Sequence, residues 1–312
     1  LYAAGLDSLG LKKDSVVTTS LPVSVESILS LLAASQMGSI SNTVNFLFLK
    51  SNLAKYTDKK NSDTLIISDM FLPFISGYIK NTGIKNIVLT SLEDYLPEDK
   101  KGMFKDVSQL PKTLREKLSD KDALDQCLED IRSLHGVEFI RMSEMLKEGK
   151  KRIGTIKYPE VDIEKDSIYS YTSGTTGDPK PFVLLEQAPN AIIEMHKGLD
   201  LKDYVGDRSL VLIPASHPTG LFFATYLQMA KGKTMVLQPI YDKNRFAQDL
   251  QDMKINHVLA TAGFYNACLD KKVDLSNLTK ACSGGEPITL SNLKRMNAWL
   301  KECGCPDPYI NL

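Results

Sequence analysis

Along this chain, short runs of β-branched and aliphatic residues alternate with segments of helical period, and that alternation restricts the fold more than any other feature. The runs include "SVVTTSL" (15–21), "DTLIISD" (63–69), "KNIVLTS" (85–91), "VEFIRM" (137–142) and "SIYSYTS" (167–173). Farther on come "RSLVLIPAS" (208–216), "KTMVLQPI" (233–240), "NHVLATA" (256–262) and "LTKACSGG" (278–285). Their apolar residues are consecutive, the pattern of strands covered on both faces. Between them lie helical segments. "SVESILSLLAASQMG" (24–38) has a Ser cap and a Gly stop, and others are expected from about Phe71, over 191–197, in "TGLFFATYLQMA", in "NRFAQDLQDMK" and from about Ser291. Strands separated by helices at this spacing imply βαβ units. The expected class is α/β, with mostly parallel sheets flanked by helices.

Residues 92–152 break the rhythm, being rich in Lys, Glu and Asp and poor in aromatics. They read as a solvated helical excursion, or else as a surface facing a partner or lipid. The excursion separates two expected α/β subdomains, about 1–165 and 166–312. With 312 residues, 43% of them hydrophobic, the chain can bury a large core. Lys+Arg and Asp+Glu both number 38, which excludes nucleic-acid binding through a bulk positive field. No apolar run approaches the ~18 residues of a membrane span. Cys127, Cys268, Cys282, Cys303 and Cys305 are odd in number, include no C-x-x-C pair and follow no visible secretory leader. They are expected to be reduced thiols of a cytoplasmic protein. Cys303 and Cys305 lack the second cluster a zinc site needs. The opening "LYAAGLDSLGLKKDSVV" and the closing "CPDPYINL" read as interrupted elements, so the expected domain is incomplete at both ends.

The stretch "SYTSGTTGDPKPF" (170–182) carries the chemistry. An aromatic-rich strand runs straight into a loop of hydroxyls and glycines that ends on a lysine. Gly174 and Gly177 let a ligand approach the main chain, and successive N–H groups in such a turn form an anion-binding nest. Thr172, Ser173, Thr175 and Thr176 add hydroxyl donors, and Lys180 adds a point charge suited to phosphate. The set fits a polyphosphate. Its order differs from G-x-x-x-x-G-K-[ST], so it is a different phosphate loop from Walker A.

The order [ST]-G-T-T-G-x-P-K resembles the phosphate loop of the AMP-forming adenylating enzymes, which include acyl-CoA synthetases, luciferases and peptide-synthetase adenylation domains. Two further motifs follow in the family's order. "LVLIPASHPTGLFFATYL" supplies Pro214, His217, Gly220 and Leu221, and "LTKACSGGEPIT" supplies Gly284, Gly285, Glu286 and Pro287. The resemblance extends to "VVTTSLPVSVESILSLLAASQMGSISNTVN" and so covers nearly the whole chain. It implies an acyl-CoA synthetase-like large N-terminal domain, with the Gly284–Pro287 turn on the adenine side. His217, Gly220 and Phe264 are implied to border the acid, with Phe222, Phe223 and Tyr265 nearby. Lys180 and His217 are the implied catalytic pair. Three departures bear on substrate choice: Pro181 stands where Gly is usual, Ser216 replaces an aromatic, and "LATAGFYN" lacks a Pro.

Such an enzyme uses ATP and Mg2+ to convert a carboxylic acid to an acyl-adenylate, then forms a thioester with CoA. The resemblance implies an acid–CoA ligase of fatty acid metabolism acting on a fatty or other hydrophobic acid. A domain loading an amino or aryl acid onto a carrier protein is the alternative, with Asp242 the residue offered to a substrate amine. A third alternative is a catalytically incompetent nucleotide-binding fragment. The family's Tyr-Gly-x-Thr-Glu motif, ribose-binding Asp and small C-terminal domain with its catalytic Lys are expected beyond residue 312. Thr176 is therefore the one metal contact the chain offers.

Overall fold

The computed structural model describes residues 1–50, 52–101, 121–172, 179–198 and 206–311. They form two compact units, Leu1–Ala188 and Pro189–Leu312. Ser173, Gly174, Thr175, Thr176 and Gly177 lie outside the described residues.

The first unit is built on a seven-stranded sheet: β1 (Val16–Ser20), β2 (Ile40–Thr43), β3 (Thr64–Ser68), β4 (Asn86–Thr90), β5 (Glu138–Arg141), β6 (Asp166–Thr172) and β7 (Lys180–Leu185), in the order β5-β4-β3-β1-β2-β6-β7. All neighbours are parallel except β6 and β7. Every residue of β1, β2 and β3 is buried, as strands covered on both faces must be. Helix α1 (Tyr2–Ser8) precedes β1, and α2 (Val25–Gln36) follows it. The expected Ser cap of α2 is present. Ser24 Oγ accepts from Ser27 N at 3.2 Å, and Ser27 Oγ accepts from Ser24 N at 3.3 Å.

Strand β2 is polar in sequence yet wholly buried, because a side-chain network satisfies it. Asn42 Nδ2 donates to Thr18 Oγ1 at 2.9 Å and to the Tyr56 carbonyl at 2.6 Å. The Tyr171 hydroxyl donates to Asn42 Oδ1 at 2.7 Å, and Thr18 Oγ1 donates to Ser62 Oγ at 2.8 Å. The network links β1, β2 and β6 beneath the end of β6.

Three sequence expectations change. The helix from about Phe71 is a 3-10 turn, Asp69–Phe74, followed by a short helix, Ser76–Ile79; Pro73 lies inside the turn and has no N–H to extend an α-helix. The charged region is more than a solvated excursion. Its described part holds α3 (Lys121–Arg132), the sheet strand β5, and α4 (Met142–Arg152). Met142, Met145 and Gly149 of α4 are buried. A Cβ on Gly149 would stand 2.5 Å from Gly5 N, so the backbones of α4 and α1 approach as only glycine permits. Finally, the break between units falls after Ala188 rather than near Asp166. The reason is that β6 pairs with β2 and carries β7 with it into the first sheet.

The second unit contains α5 (Ala188–Gly198, from its second residue), then β8 (Arg208–Val211), β9 (Thr234–Leu237), β10 (His257–Ala260) and β11 (Lys280–Ser283). These make a four-stranded, all-parallel sheet in the order β11-β10-β8-β9. Its core gathers Phe246, Leu250, Ile255, Tyr265, Leu278, Met296, Trp299 and Leu300. Among the described residues no helix is long and apolar enough to cross a membrane.

Candidate functional site

In the first unit the antiparallel ladder between β6 and β7 runs out to the pair Thr172↔Lys180. These two residues are the feet of the Gly/Thr segment. Both are exposed, and among the described residues no carboxylate pairs with Lys180. The adjoining pair is Tyr171↔Pro181. Tyr171 is buried, and its hydroxyl bond to Asn42 anchors this foot to the polar network under the sheet. Burial pushes the Tyr171 hydroxyl well above the ordinary phenol range, so it stays protonated and keeps donating. Pro181 fits because β7 is an edge strand, where a missing ladder N–H leaves no orphan partner.

In the second unit the remaining motifs come together at the carboxyl ends of parallel strands. Strand β8 lies between β9 and β10, so the connections from β8 and β10 part to opposite sides, the arrangement in which α/β sheets open a ligand crevice. The loop after β8 carries Pro214 and His217. His217 N donates to the Pro214 carbonyl at 3.0 Å, and His217 Nδ1 accepts from Thr219 N at 3.2 Å. A neutral imidazole accepting at Nδ1 carries its proton on Nε2. Partial burial lowers the His217 pKa below the ordinary imidazole value, which favours that neutral form.

A helix follows, entered at Pro218, running as π-helical turns over Gly220–Tyr226 and closing as α6 (Leu227–Ala230). Such π-helical segments are rare and recur at functional sites. Gly220 is buried in the first turn of this helix, against the strand's exit. A Cβ there would meet the Pro214 carbonyl oxygen at 2.2 Å and the Ile213 carbonyl oxygen at 2.4 Å.

After β10, Thr261 leads into helix α8 (Ala262–Asn266), following α7 (Phe246–Asp252) in the chain; after β11 comes the Gly284–Pro287 turn. Glu286 joins these two loops, its Oε1 accepting from Gly263 N at 2.7 Å. Lys243 stands beside them, with Nζ 5.7 Å from the Phe264 ring centroid. Phe264 is buried among aromatics, 5.0 Å from Tyr241 and 5.2 Å from Phe246 between ring centroids. It is bound into the core, and so is Tyr265, whose hydroxyl donates to the Cys282 carbonyl. Asp242 Oδ1 accepts from Asn244 N at 2.9 Å and from Asn244 Nδ2 at 3.1 Å, so that carboxylate closes a local turn. Lys243 was not read as a site residue, and nothing in its sequence setting marks it. Among the described residues no group of three or more His, Cys, Asp or Glu is placed to hold a metal ion.

Residues 1–308 match the family described as AMP-binding enzyme. The chain is 26% identical to a long-chain-fatty-acid–CoA ligase of Bacillus subtilis, over 77% of this chain and 40% of that protein. It is 25% identical to a long-chain-fatty-acid–CoA ligase of Haemophilus influenzae, over 95% of this chain and 50% of that protein. A 4-coumarate:CoA ligase of Petunia hybrida is 21% identical over 92% of this chain and 45% of its own length. The chain thus spans about half the length of the curated relatives it matches. Among solved structures, a long-chain-fatty-acid–CoA ligase from Archaeoglobus fulgidus superposes with a TM-score of 0.72 at 15% identity, covering 99% of this chain and 53% of that one. The N-terminal domain of a Mycobacterium tuberculosis protein gives 0.65 at 16% identity, covering 95% and 63%. These likenesses carry the α/β fold with two mostly parallel sheets.

Proposed function

This chain belongs to the AMP-binding enzyme family, and on that premise we propose that it provides the nucleotide- and acid-binding part of an ATP-dependent acid–CoA ligase. The reading takes a hydrophobic carboxylic acid as substrate, supported by the fatty-acid–CoA ligases among the relatives. The presence of a coumarate ligase among them leaves the acid's class to experiment. One observation carries the reading: the β6–β7 hairpin sets Thr172 and an exposed Lys180 opposite each other at the feet of the Gly/Thr segment.

In the proposed reaction the acid's carboxylate oxygen attacks the α-phosphorus of ATP. The new P–O bond forms as the bond to pyrophosphate breaks, and pyrophosphate leaves with the electron pair. The CoA thiolate then attacks the acyl carbon, giving a thioester and releasing AMP. Two anions must meet, so positioning and charge neutralisation supply most of the rate. Lys180 neutralises charge on the departing phosphates, and the hydroxyls and N–H groups of residues 172–177 are assigned to the same phosphates. The Nε2–H of His217 donates to the acid's carboxylate and holds it for attack. Gly284, Gly285, Glu286 and Pro287 form the adenine-side wall, fixed by the bond from Gly263 N to Glu286. Magnesium reaches such sites chiefly through substrate phosphates, needing only one or two protein oxygens, and Thr176 is the hydroxyl assigned to it here.

Exchange of labelled pyrophosphate into ATP, run against a panel of carboxylic acids, tests the reading. A hydrogen bond to a charged group is worth about 1.5–3 kcal/mol. Lys180→Ala should therefore slow acid-dependent exchange by roughly ten- to a hundred-fold or more. Unchanged exchange would remove Lys180 from the mechanism, and no exchange with any acid would remove adenylation itself.

A further inference from the structure

In the first unit, the ribbon that carries Thr172 and Lys180 runs past the strand that supports it. Strand β6 is in register with β2 only at Ser41↔Ile168 and Asn42↔Tyr169, whereas its ladder with β7 continues out to Thr172↔Lys180. Since β7 is the last strand of the sheet, β6 and β7 have only each other in register beyond Tyr169. A two-stranded ribbon standing alone is marginal in water, and the ends of a ladder open first. Pro181, opposite Tyr171, has no N–H to give that ladder. Backbone pairing by itself therefore holds the Lys180 backbone poorly.

One side chain ties the ribbon back to the sheet. Tyr171 is 6% exposed, and its hydroxyl donates to Asn42 Oδ1 at 2.7 Å, one strand away in β2. The acceptor is itself fixed. Asn42 Nδ2 donates to Thr18 Oγ1 at 2.9 Å and to the Tyr56 carbonyl at 2.6 Å, so the amide cannot turn without breaking both bonds. Thr18 Oγ1 donates in turn to Ser62 Oγ at 2.8 Å, and Ser62 Oγ stands 3.1 Å from the Val16 carbonyl oxygen. The Tyr56 ring meets the Tyr171 ring edge-on, with centroids 5.0 Å apart, which restrains the phenol from the side. A line of buried bonds thus runs from the ribbon through β2 into β1, in the middle of the sheet. Asn42 and Tyr171 are buried, so what they do to a bound nucleotide passes through their exposed neighbours, Thr172 and Lys180.

We propose that Asn42 and Tyr171 are positioning residues for Lys180: their bond steadies the ribbon and so holds the lysine ready for the outer phosphates of ATP. The proposal rests on the phosphate-binding reading of Lys180 above and adds to it the residues that act through that lysine. A network that only cements the sheet would affect all nucleotides alike.

The test is calorimetric titration of the protein with MgATP and with AMP, for the wild type, Tyr171→Phe, Lys180→Ala and the double variant. AMP lacks the phosphates assigned to Lys180, so it reports the folded state and the rest of the site. Tyr171→Phe removes one oxygen and keeps the ring. It should weaken ATP binding by about two- to tenfold, the worth of one hydrogen bond, and leave AMP binding unchanged. In the Lys180→Ala background the same change should cost ATP nothing more, because no lysine is left to position. Equal weakening of ATP and AMP, which includes a variant that does not fold, would make the bond purely structural and overturn the inference. Unchanged ATP affinity in Tyr171→Phe, or full additivity in the double variant, would overturn it and leave the Lys180 reading standing. A wild-type protein that binds ATP no more tightly than AMP would overturn this inference and the Lys180 reading together.

Discussion

Gly220→Ala pits two effects of opposite sign against each other. In an unobstructed helix, replacing Gly by Ala gains about 1 kcal/mol from reduced backbone entropy in the unfolded chain. At Gly220 the added methyl would meet the Pro214 carbonyl oxygen at 2.2 Å, the Ile213 carbonyl oxygen at 2.4 Å and the Pro214 carbonyl carbon at 2.7 Å. All three are backbone atoms, so no side chain can swing aside, and the helix start must retreat by roughly 1 Å to restore ordinary contact. Overpacking of this kind costs about 1–3 kcal/mol, and rigid backbone places this site toward the upper end. The clash outweighs propensity, leaving a net loss of about 1–2 kcal/mol. Trp299, the chain's one tryptophan, is buried in the core of the same unit, with Nε1 donating to the Lys271 carbonyl at 3.0 Å. Its fluorescence through a urea titration reports the loss directly. Gly284→Ala is the matched control, since its Cβ would meet nothing within 4 Å. The control should shift the transition by no more than a few tenths of a kcal/mol. Coincident transitions for the two variants, or a Gly220→Ala protein more stable than the wild type, would refute the packing argument.

Two further outcomes concern the first unit. Asn42→Ala removes the partner of the Tyr171 hydroxyl and of the Tyr56 carbonyl, both in buried surroundings; leaving such groups unmet should cost about 2–4 kcal/mol, read as faster amide exchange in β1, β2 and β6. Glu26 is 2% exposed, and burial first, then the Asp94 and Asp69 charges, raises its carboxyl pKa above the ordinary range despite hydrogen bonds that lower it. The folded protein therefore holds this proton more tightly than the unfolded chain. The stability this gives is complete below the unfolded value of about 4.3 and is lost as pH rises through the raised folded value. Glu26→Gln should accordingly be more stable than the wild type at pH 7, with the gap closing toward pH 4. A wild type more stable than the variant at pH 7 would contradict that sign.

Strands that announce themselves by consecutive apolar residues, such as β3 and β4, were legible in the sequence, as was the Ser24 cap. Strand β2 was not, because "ISNT" earns its place only through Thr18, Tyr56 and Tyr171, distant partners that no local pattern reveals. Pro181 hid β7: a proline argues against a strand unless the strand is known to lie at a sheet edge. At the candidate site the order of the motifs was readable, since each is local. Their geometry was not. The bond between Glu286 and Gly263 spans two loops, and Phe264 is seated in the core beside Tyr241 and Phe246.

The π-helical turns at Gly220–Tyr226 hold one residue more than an α-helix would need between the same two ends. Removing a single residue from that span would let ordinary i→i+4 bonds close, so the helix itself would survive the deletion. Everything after it would turn by about 100°. Leu227 and Gln228 would then swing off the sheet while His217, ahead of the deletion, stayed in place. A substitution along this helix therefore exchanges one side chain, whereas a change in the number of residues redirects all that follow, because the count alone decides which of them look inward.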